Sequence, residues 1–180
     1  FFEERCKLYS INQVKIPFSK NMDLCIEDFI KKAKSVDMIY LDSPNNPTGF
    51  QFSNKDLEKL IKSFSGPIII DEAYGEFSNS SVLSLVKKYP NVILVKTLSK
   101  AFGLAGLRVG YMIADKKLTE VFSNAIQYPY PLNTLAIECG ILAIEKSKQI
   151  IPIFEIIKKQ RTRIIQNLKK YDAFDVFDSN

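Results

Sequence analysis

A chain of 180 residues that is 46% hydrophobic can bury one substantial core, which fits a single main domain. The net charge of +5 comes from lysines scattered along prospective helices, such as Lys31, Lys32, Lys34, Lys87, Lys88, Lys158 and Lys159. This pattern reads as a solvated face rather than a nucleic-acid stripe. The absence of histidine removes Ser-His-Asp hydrolysis, Cys-His nucleophiles and histidine-ligated zinc from this segment, and no metal site is expected.

In chain order, Asn12 to Phe18 reads as a strand, and Leu24 to Lys34 as a helix capped by Asp23. Ile39 to Leu41 is a short apolar strand. Asn54 to Phe64 is a helix capped by Ser53, Pro67 to Ile70 a strand, and Val82 to Lys88 a helix. Val92 to Lys96 is a buried strand. Arg108 to Ile113 is another, antiparallel to it, because a parallel return needs about a dozen residues or more. Asp115 caps a helix reaching about Asn124. Thr134 to Tyr171 is helical and broken at Pro152, whose ring removes a donor. Ile150, Ile153, Ile157, Ile164 and Leu168 keep helical spacing there, a stripe suited to packing between domains. Strand and helix alternate, which predicts an α/β fold: a mostly parallel sheet with helices on both faces. The apolar runs fall far short of the roughly 20 residues of a membrane span, so no membrane role is expected. Cys6, Cys25 and Cys139, odd in number and widely spaced, suit reduced cytosolic thiols.

Three segments carry chemistry. In Thr97-Leu-Ser-Lys-Ala-Phe-Gly-Leu-Ala-Gly-Leu-Arg108, Lys100 leaves a strand end beside Thr97, Ser99 and Arg108. An amine beside hydroxyls and a guanidinium suits a Schiff base to a phosphorylated carbonyl cofactor, and the glycines let backbone come close. By residue type alone Lys100 reads as a solvated surface lysine, and two further segments make the case for the cofactor. Gly103, Gly106 and Gly110 do not have dinucleotide-loop spacing.

The second segment, Ile39 to Gly49, runs from a strand into Ser-Pro-Asn-Asn-Pro-Thr-Gly. A turn at the carboxyl edge of a parallel sheet is a ligand position, or an ordinary strand-to-helix loop. In the third, Pro67 to Phe77, Ile-Ile-Ile ends in Asp71, again at that edge. A carboxylate there can keep a pyridinium nitrogen protonated. The same letters resemble the magnesium strand of a nucleotide hydrolase. That reading needs a phosphate loop, and none of the seven glycines is followed by lysine.

Asn45-Asn-Pro-Thr-Gly, Asp71-Glu-Ala-Tyr, Thr97-Leu-Ser-Lys and Gly106-Leu-Arg-Val-Gly-Tyr together resemble a fold-type-I aminotransferase dependent on pyridoxal 5'-phosphate. Asp71-Glu-Ala-Tyr-Gly-Glu-Phe, Ala105-Gly-Leu-Arg and Pro129-Tyr-Pro-Leu-Asn point to the histidinol-phosphate aminotransferase family. The resemblance implies that Lys100 forms the Schiff base and moves the substrate proton, and that Asp71 faces the pyridine nitrogen. It implies that Asn46 and Tyr74 bond the phenolic oxygen, and that Thr97, Ser99 and Arg108 bind the phosphate.

Residues 1–145 would be the cofactor-binding large domain, incomplete at its start, and 146–180 an interdomain helix with the start of a small α/β domain. A family member would be about twice as long, so this segment alone is expected not to turn over. The implied reaction belongs to histidine biosynthesis: aminotransfer between a phosphorylated amino donor, histidinol phosphate, and a 2-oxo acid, 2-oxoglutarate. The thiols lead to an expectation of a cytoplasmic protein, and the resemblance implies a homodimer, with the aromatic stretch Phe122 to Leu132 near the interface. Threonine-phosphate decarboxylases and other class I and II aminotransferases share these motifs. A non-catalytic α/β fragment is the reading outside enzymes.

Overall fold

The computed structural model describes residues 2–126 and 130–179. Four strands form one mixed sheet in the order β1-β2-β3-β4: β1 Ile39–Asp42, β2 Ile68–Asp71, β3 Val92–Thr97 and β4 Gly110–Ile113. The first three are parallel, with Asp42 opposite Asp71 and Asp71 opposite Val95. The strand β4 runs antiparallel, with Thr97 opposite Gly110. This is the mixed α/β architecture expected, including the direction of the last strand.

Strand side chains alternate between faces. Ile39, Leu41, Ile68, Ile70, Val92 and Leu94 all point to one side and are buried. Three helices cover them: α2 (Ile26–Ala33), α3 (Asn54–Ser63) and α4 (Leu83–Lys88). They bring Ile26, Ala33, Leu57, Leu60, Ile61, Leu85 and Val86 into the same core. Leu57 and Leu60 are fully buried, at one face of an amphipathic helix whose Ser53 cap accepts the Asp56 N–H.

The opposite face is covered more sparsely. The helix α1 (Phe2–Leu8) stacks Phe2 on Tyr40 there. A second, smaller core forms beyond the paired ends of β3 and β4, where α6 (Thr134–Glu145) sets Ala136 and Gly140 against Leu98 and Val109.

Several boundaries differ from expectation. Residues 12–18 form no strand, since no neighbouring strand offers a ladder; the Lys32 Nζ holds the Lys15 carbonyl instead. Asp23 does not cap α2. It closes a turn with Ser19, and Cys25 stands at the helix start without a side-chain cap. Arg108 precedes β4 in a left-handed conformation, φ 56°. The helix α5 (Lys116–Val121) is capped by Asp115 as expected and runs into a π-helical turn, Phe122–Ile126.

The long C-terminal helix breaks at Lys146, where ψ is 5°, not at Pro152. The proline lies inside α7 (Ser147–Leu168). As the sixth residue of that helix it forfeits one bond near the end, where the first four N–H groups already lack partners. Phe154 is the buried residue of α7, packed edge-on to Phe77 and Phe102. The expected stripe is largely exposed at Ile153, Ile157 and Ile164. Of the aromatic stretch, Tyr128 and Pro129 lie outside the described residues, and Tyr130 is exposed. No helix among the described residues is long and apolar enough to cross a membrane.

Candidate active site

The carboxyl ends of β1, β2 and β3 meet at one edge, where parallel sheets place ligands. Beyond β1 the chain turns through Asn45–Gly49, and Asp42 organises the turn. Its Oδ1 accepts the Asn45 side-chain amide at 2.8 Å and its Oδ2 the Asn46 N–H at 3.3 Å. Asn45 Oδ1 in turn accepts the Thr48 hydroxyl at 2.7 Å. Gly49 closes the loop at φ +72°, and a Cβ there would also collide with Ser179. The turn presents Asn46, exposed, with its Nδ2 donating to the Tyr74 hydroxyl at 3.0 Å.

Tyr74 follows β2 and starts a single 3-10 turn, Gly75–Phe77. Lys100 is exposed, with Nζ 5.5 Å from the centre of the Tyr74 ring. Three residues far apart in sequence, Asn46, Tyr74 and Lys100, therefore converge. Asp71 ends β2 beside them. Its Oδ1 accepts the Ala73 N–H and its Oδ2 the Tyr40 hydroxyl, both at 2.8 Å. Burial first, then the hydrogen bond to Asp71 and the charges of Asp71 and Asp42, hold the Tyr40 phenol well above the ordinary tyrosine range, so it remains a donor.

Thr97 ends β3. Its Oγ1 accepts the Ser99 N–H at 3.1 Å and reaches the Val109 carbonyl at 3.3 Å. Arg108 adjoins this carbonyl, yet its guanidinium turns back onto the Ala105 carbonyl at 3.0 Å and makes no bond to Thr97 or Ser99. The structure thus brings the Thr97 and Ser99 backbone together and leaves the Arg108 side chain apart, exposed on its own turn.

Under the site lies a charged cluster that the motifs did not single out. Glu72 is fully buried; its Oε1 accepts the Val82 N–H and its Oε2 the Ser81 hydroxyl. Lys96 Nζ lies 3.3 Å from Glu72 and 2.9 Å from Glu76. Burial alone would lower the Lys96 pKa, but Glu76 and Glu72 together outweigh it and hold the value above that of a free lysine. The cluster ties the Tyr74 turn to β3. Alternation could have revealed it, since Glu72 and Lys96 continue the buried sides of β2 and β3.

Two cavities lie away from these residues. One of about 780 Å³ is lined by Phe18, Asp23, Cys25, Glu27, Phe52 and Asp56 among others, and one of about 360 Å³ by Asn79 and α7 residues such as Lys158 and Arg161. The candidate site is an open sheet edge. No cluster of three or more possible metal ligands occurs among the described residues.

The family model "Aminotransferase class I and II" matches residues 1–180. The chain is 38% identical over 184 aligned positions to the histidinol-phosphate aminotransferase of Buchnera aphidicola subsp. Schizaphis graminum, covering 97% of this chain and 51% of the relative. The crystal structure of histidinol-phosphate aminotransferase from Clostridium acetobutylicum superimposes with a TM-score of 0.91 at 29% identity, covering 99% of this chain and 55% of that one. The Sinorhizobium meliloti enzyme, solved in complex with pyridoxal-5'-phosphate, shares the fold (TM-score 0.81, 23% identity, covering 92% of this chain and 46% of that one).

The chain belongs to the class I and II aminotransferase family, whose members depend on pyridoxal phosphate. It spans about half the length of the curated relatives it matches.

The donor set suits that cofactor. Thr97, Ser99 and Arg108 offer hydroxyls and a cation to a phosphate, Lys100 an amine to an aldehyde, Asn46 and Tyr74 donors to a phenolic oxygen, and Asp71 an anion to a pyridinium.

Proposed function

We propose that the complete protein is a pyridoxal-phosphate-dependent aminotransferase acting between histidinol phosphate and 2-oxoglutarate in histidine biosynthesis. The observation that carries this reading is the convergence of Lys100 on Tyr74, itself bonded to Asn46, at the sheet edge that also carries Asp71. The 38% identical relative named histidinol-phosphate aminotransferase supports the choice of substrate.

When bound, pyridoxal phosphate supplies an aldehyde and an electron-withdrawing ring that accepts the electron pair left when the substrate Cα–H bond breaks. Lys100 Nζ would hold the aldehyde and, as the amine at the site, would accept and return the substrate Cα proton. Its place over the Tyr74 ring keeps the amine close to where that proton moves. Asp71 balances the charge of the ring nitrogen. The Asn46 amide and Tyr74 hydroxyl, already paired at 3.0 Å, hold the phenolic oxygen. Thr97 and Ser99 at the end of β3 would hold the phosphate, together with Arg108 once it is released from the Ala105 carbonyl.

In this reading 1–145 form the large domain, and α7 starts the link to the small one. The protein is a cytoplasmic homodimer, and the 180 residues alone do not turn over. Exposed Leu135, Ile141, Leu142 and Ile144 on α6 support a covered surface in the assembly.

The test supplies the complete protein with histidinol phosphate and 2-oxoglutarate and follows glutamate. Substrate-dependent glutamate is the expected product. Carbon dioxide released from threonine phosphate, without glutamate, would assign the decarboxylase reading instead.

A further inference from the structure

Tyr40 stands on β1, upstream of the Asn45–Gly49 turn and with no role assigned by the motifs, and its hydroxyl donates to Asp71 at 2.8 Å. Tyr40 lies opposite Ile69 in the β1-β2 register, so Asp71 is its diagonal neighbour on the open face, within reach of a long aromatic side chain. The ring is held from above by Phe2, stacked with centroids 4.7 Å apart and planes 23° apart.

The Ala73 N–H fixes the other oxygen of the carboxylate at 2.8 Å. One donor on each oxygen, from different directions, fixes both the rotation and the tilt of the carboxylate plane. Each oxygen still has a free lone pair. The backbone end of this clamp is common to any strand-to-turn aspartate; the phenolic end is a choice made on the neighbouring strand.

We propose that Tyr40 is a positioning residue that aims the Asp71 carboxylate at the cofactor's ring nitrogen. The proposal rests on the reading that Asp71 faces that nitrogen. A phenol that remains a neutral donor through the working pH range shares the carboxylate without displacing a second, charged donor. Removing the hydroxyl frees one oxygen, lets the carboxylate turn about the Ala73 bond, and lengthens the pairing with the ring.

A four-member set of the complete protein tests this: parent, Tyr40→Phe, Asp71→Asn and the double variant. Each is titrated with ¹⁵N-labelled pyridoxal phosphate, giving a dissociation constant and the ring-nitrogen chemical shift. The phenylalanine keeps the stack with Phe2, so melting temperatures should agree within about 3 °C.

Tyr40→Phe should weaken cofactor binding roughly 3- to 10-fold, a fraction of a charged hydrogen bond. It should also move the ¹⁵N shift towards that of a neutral pyridine. In the Asp71→Asn background the same change should alter binding less than about 2-fold, because the partner through which Tyr40 acts is gone. Equal losses in both backgrounds, or an unchanged nitrogen shift in Tyr40→Phe, would overturn the positioning role while the cofactor reading stands. A nitrogen shift indifferent to Asp71→Asn, or no cofactor binding by the parent, would overturn the functional reading and this proposal with it. Should Tyr40→Phe melt far below the parent, Phe2→Ala provides the second measurement. It loosens the ring but keeps the hydroxyl, and is expected to give a smaller nitrogen shift in the same direction; no shift would count against the proposal.

Discussion

On one face of the sheet Ile39, Leu41, Ile68, Ile70, Val92 and Leu94 lie under three helices, four of them with no exposed surface at all. On the other face the same strands show Tyr40, Ile69, Asp71, Ile93 and Val95, all partly open to solvent. The division continues in the charged residues at the carboxyl edge. Glu72 and Lys96, on the closed side, are paired and bonded into α4's approach. Asp71 and Thr97, on the open side, keep free lone pairs and a hydroxyl at the edge where a ligand would sit. Alternation lets one strand serve both ends, with stability on one side and chemistry on the other, one residue apart. Substitutions on the two faces should therefore damage different properties.

The sharpest separation is expected at Lys100. Lys100→Ala in the complete protein should lower turnover by roughly 10³- to 10⁴-fold, since no other base stands at the substrate Cα. The melting temperature of the cofactor-free protein should not change, because the side chain is exposed. Steady-state kinetics with a parallel thermal melt reads both.

Leu94→Ala, on the closed face, should do the reverse. Deleting a fully buried side chain costs about 2–5 kcal/mol, visible in the urea midpoint, while turnover of the folded fraction stays near that of the parent. Asp71→Asn is isosteric and should fold almost as well as the parent yet lose on the order of 10²-fold in turnover, the usual scale for removing one aligned electrostatic partner. Full activity in that variant would make Asp71 structural and blur the two faces.

The mildest effect is one of pH. The Lys96 pKa is raised in the folded chain, so the stability it contributes is complete below the ordinary lysine value of 10.5. That contribution is lost as pH rises through the raised value. Lys96→Arg keeps the charge without titrating there. Urea midpoints between pH 8 and pH 12 should fall at the alkaline end for the parent and hold for the variant.

Much of this arrangement was legible in sequence. Buried parallel strands announce themselves as short continuous apolar runs, and β1, β2 and β3 fell within a residue of their expected ends. Caps with a side-chain acceptor, Ser53 and Asp115, were equally readable. Residues 12–18 misled because an alternating pattern specifies a strand only if a neighbour exists to pair with it. Pro152 misled because a proline's cost depends on its distance from the helix start.

At the site, the motifs named Asn46, Tyr74 and Lys100, which the fold brings together across 28 and 26 residues. Tyr40 was not legible as Asp71's partner. That contact depends on the register of two strands, which no local pattern carries. The resting position of Arg108 follows from a left-handed backbone, likewise invisible in composition.

The central claim is that Lys100, alone among the lysines, is placed to hold the cofactor. Borohydride reduction of the complete protein with pyridoxal phosphate, followed by peptide mass mapping, tests it directly. The account predicts a single pyridoxyl group on the peptide containing Lys100. Label on Lys96, or spread over the lysines of α3, α4 and α7, would contradict it.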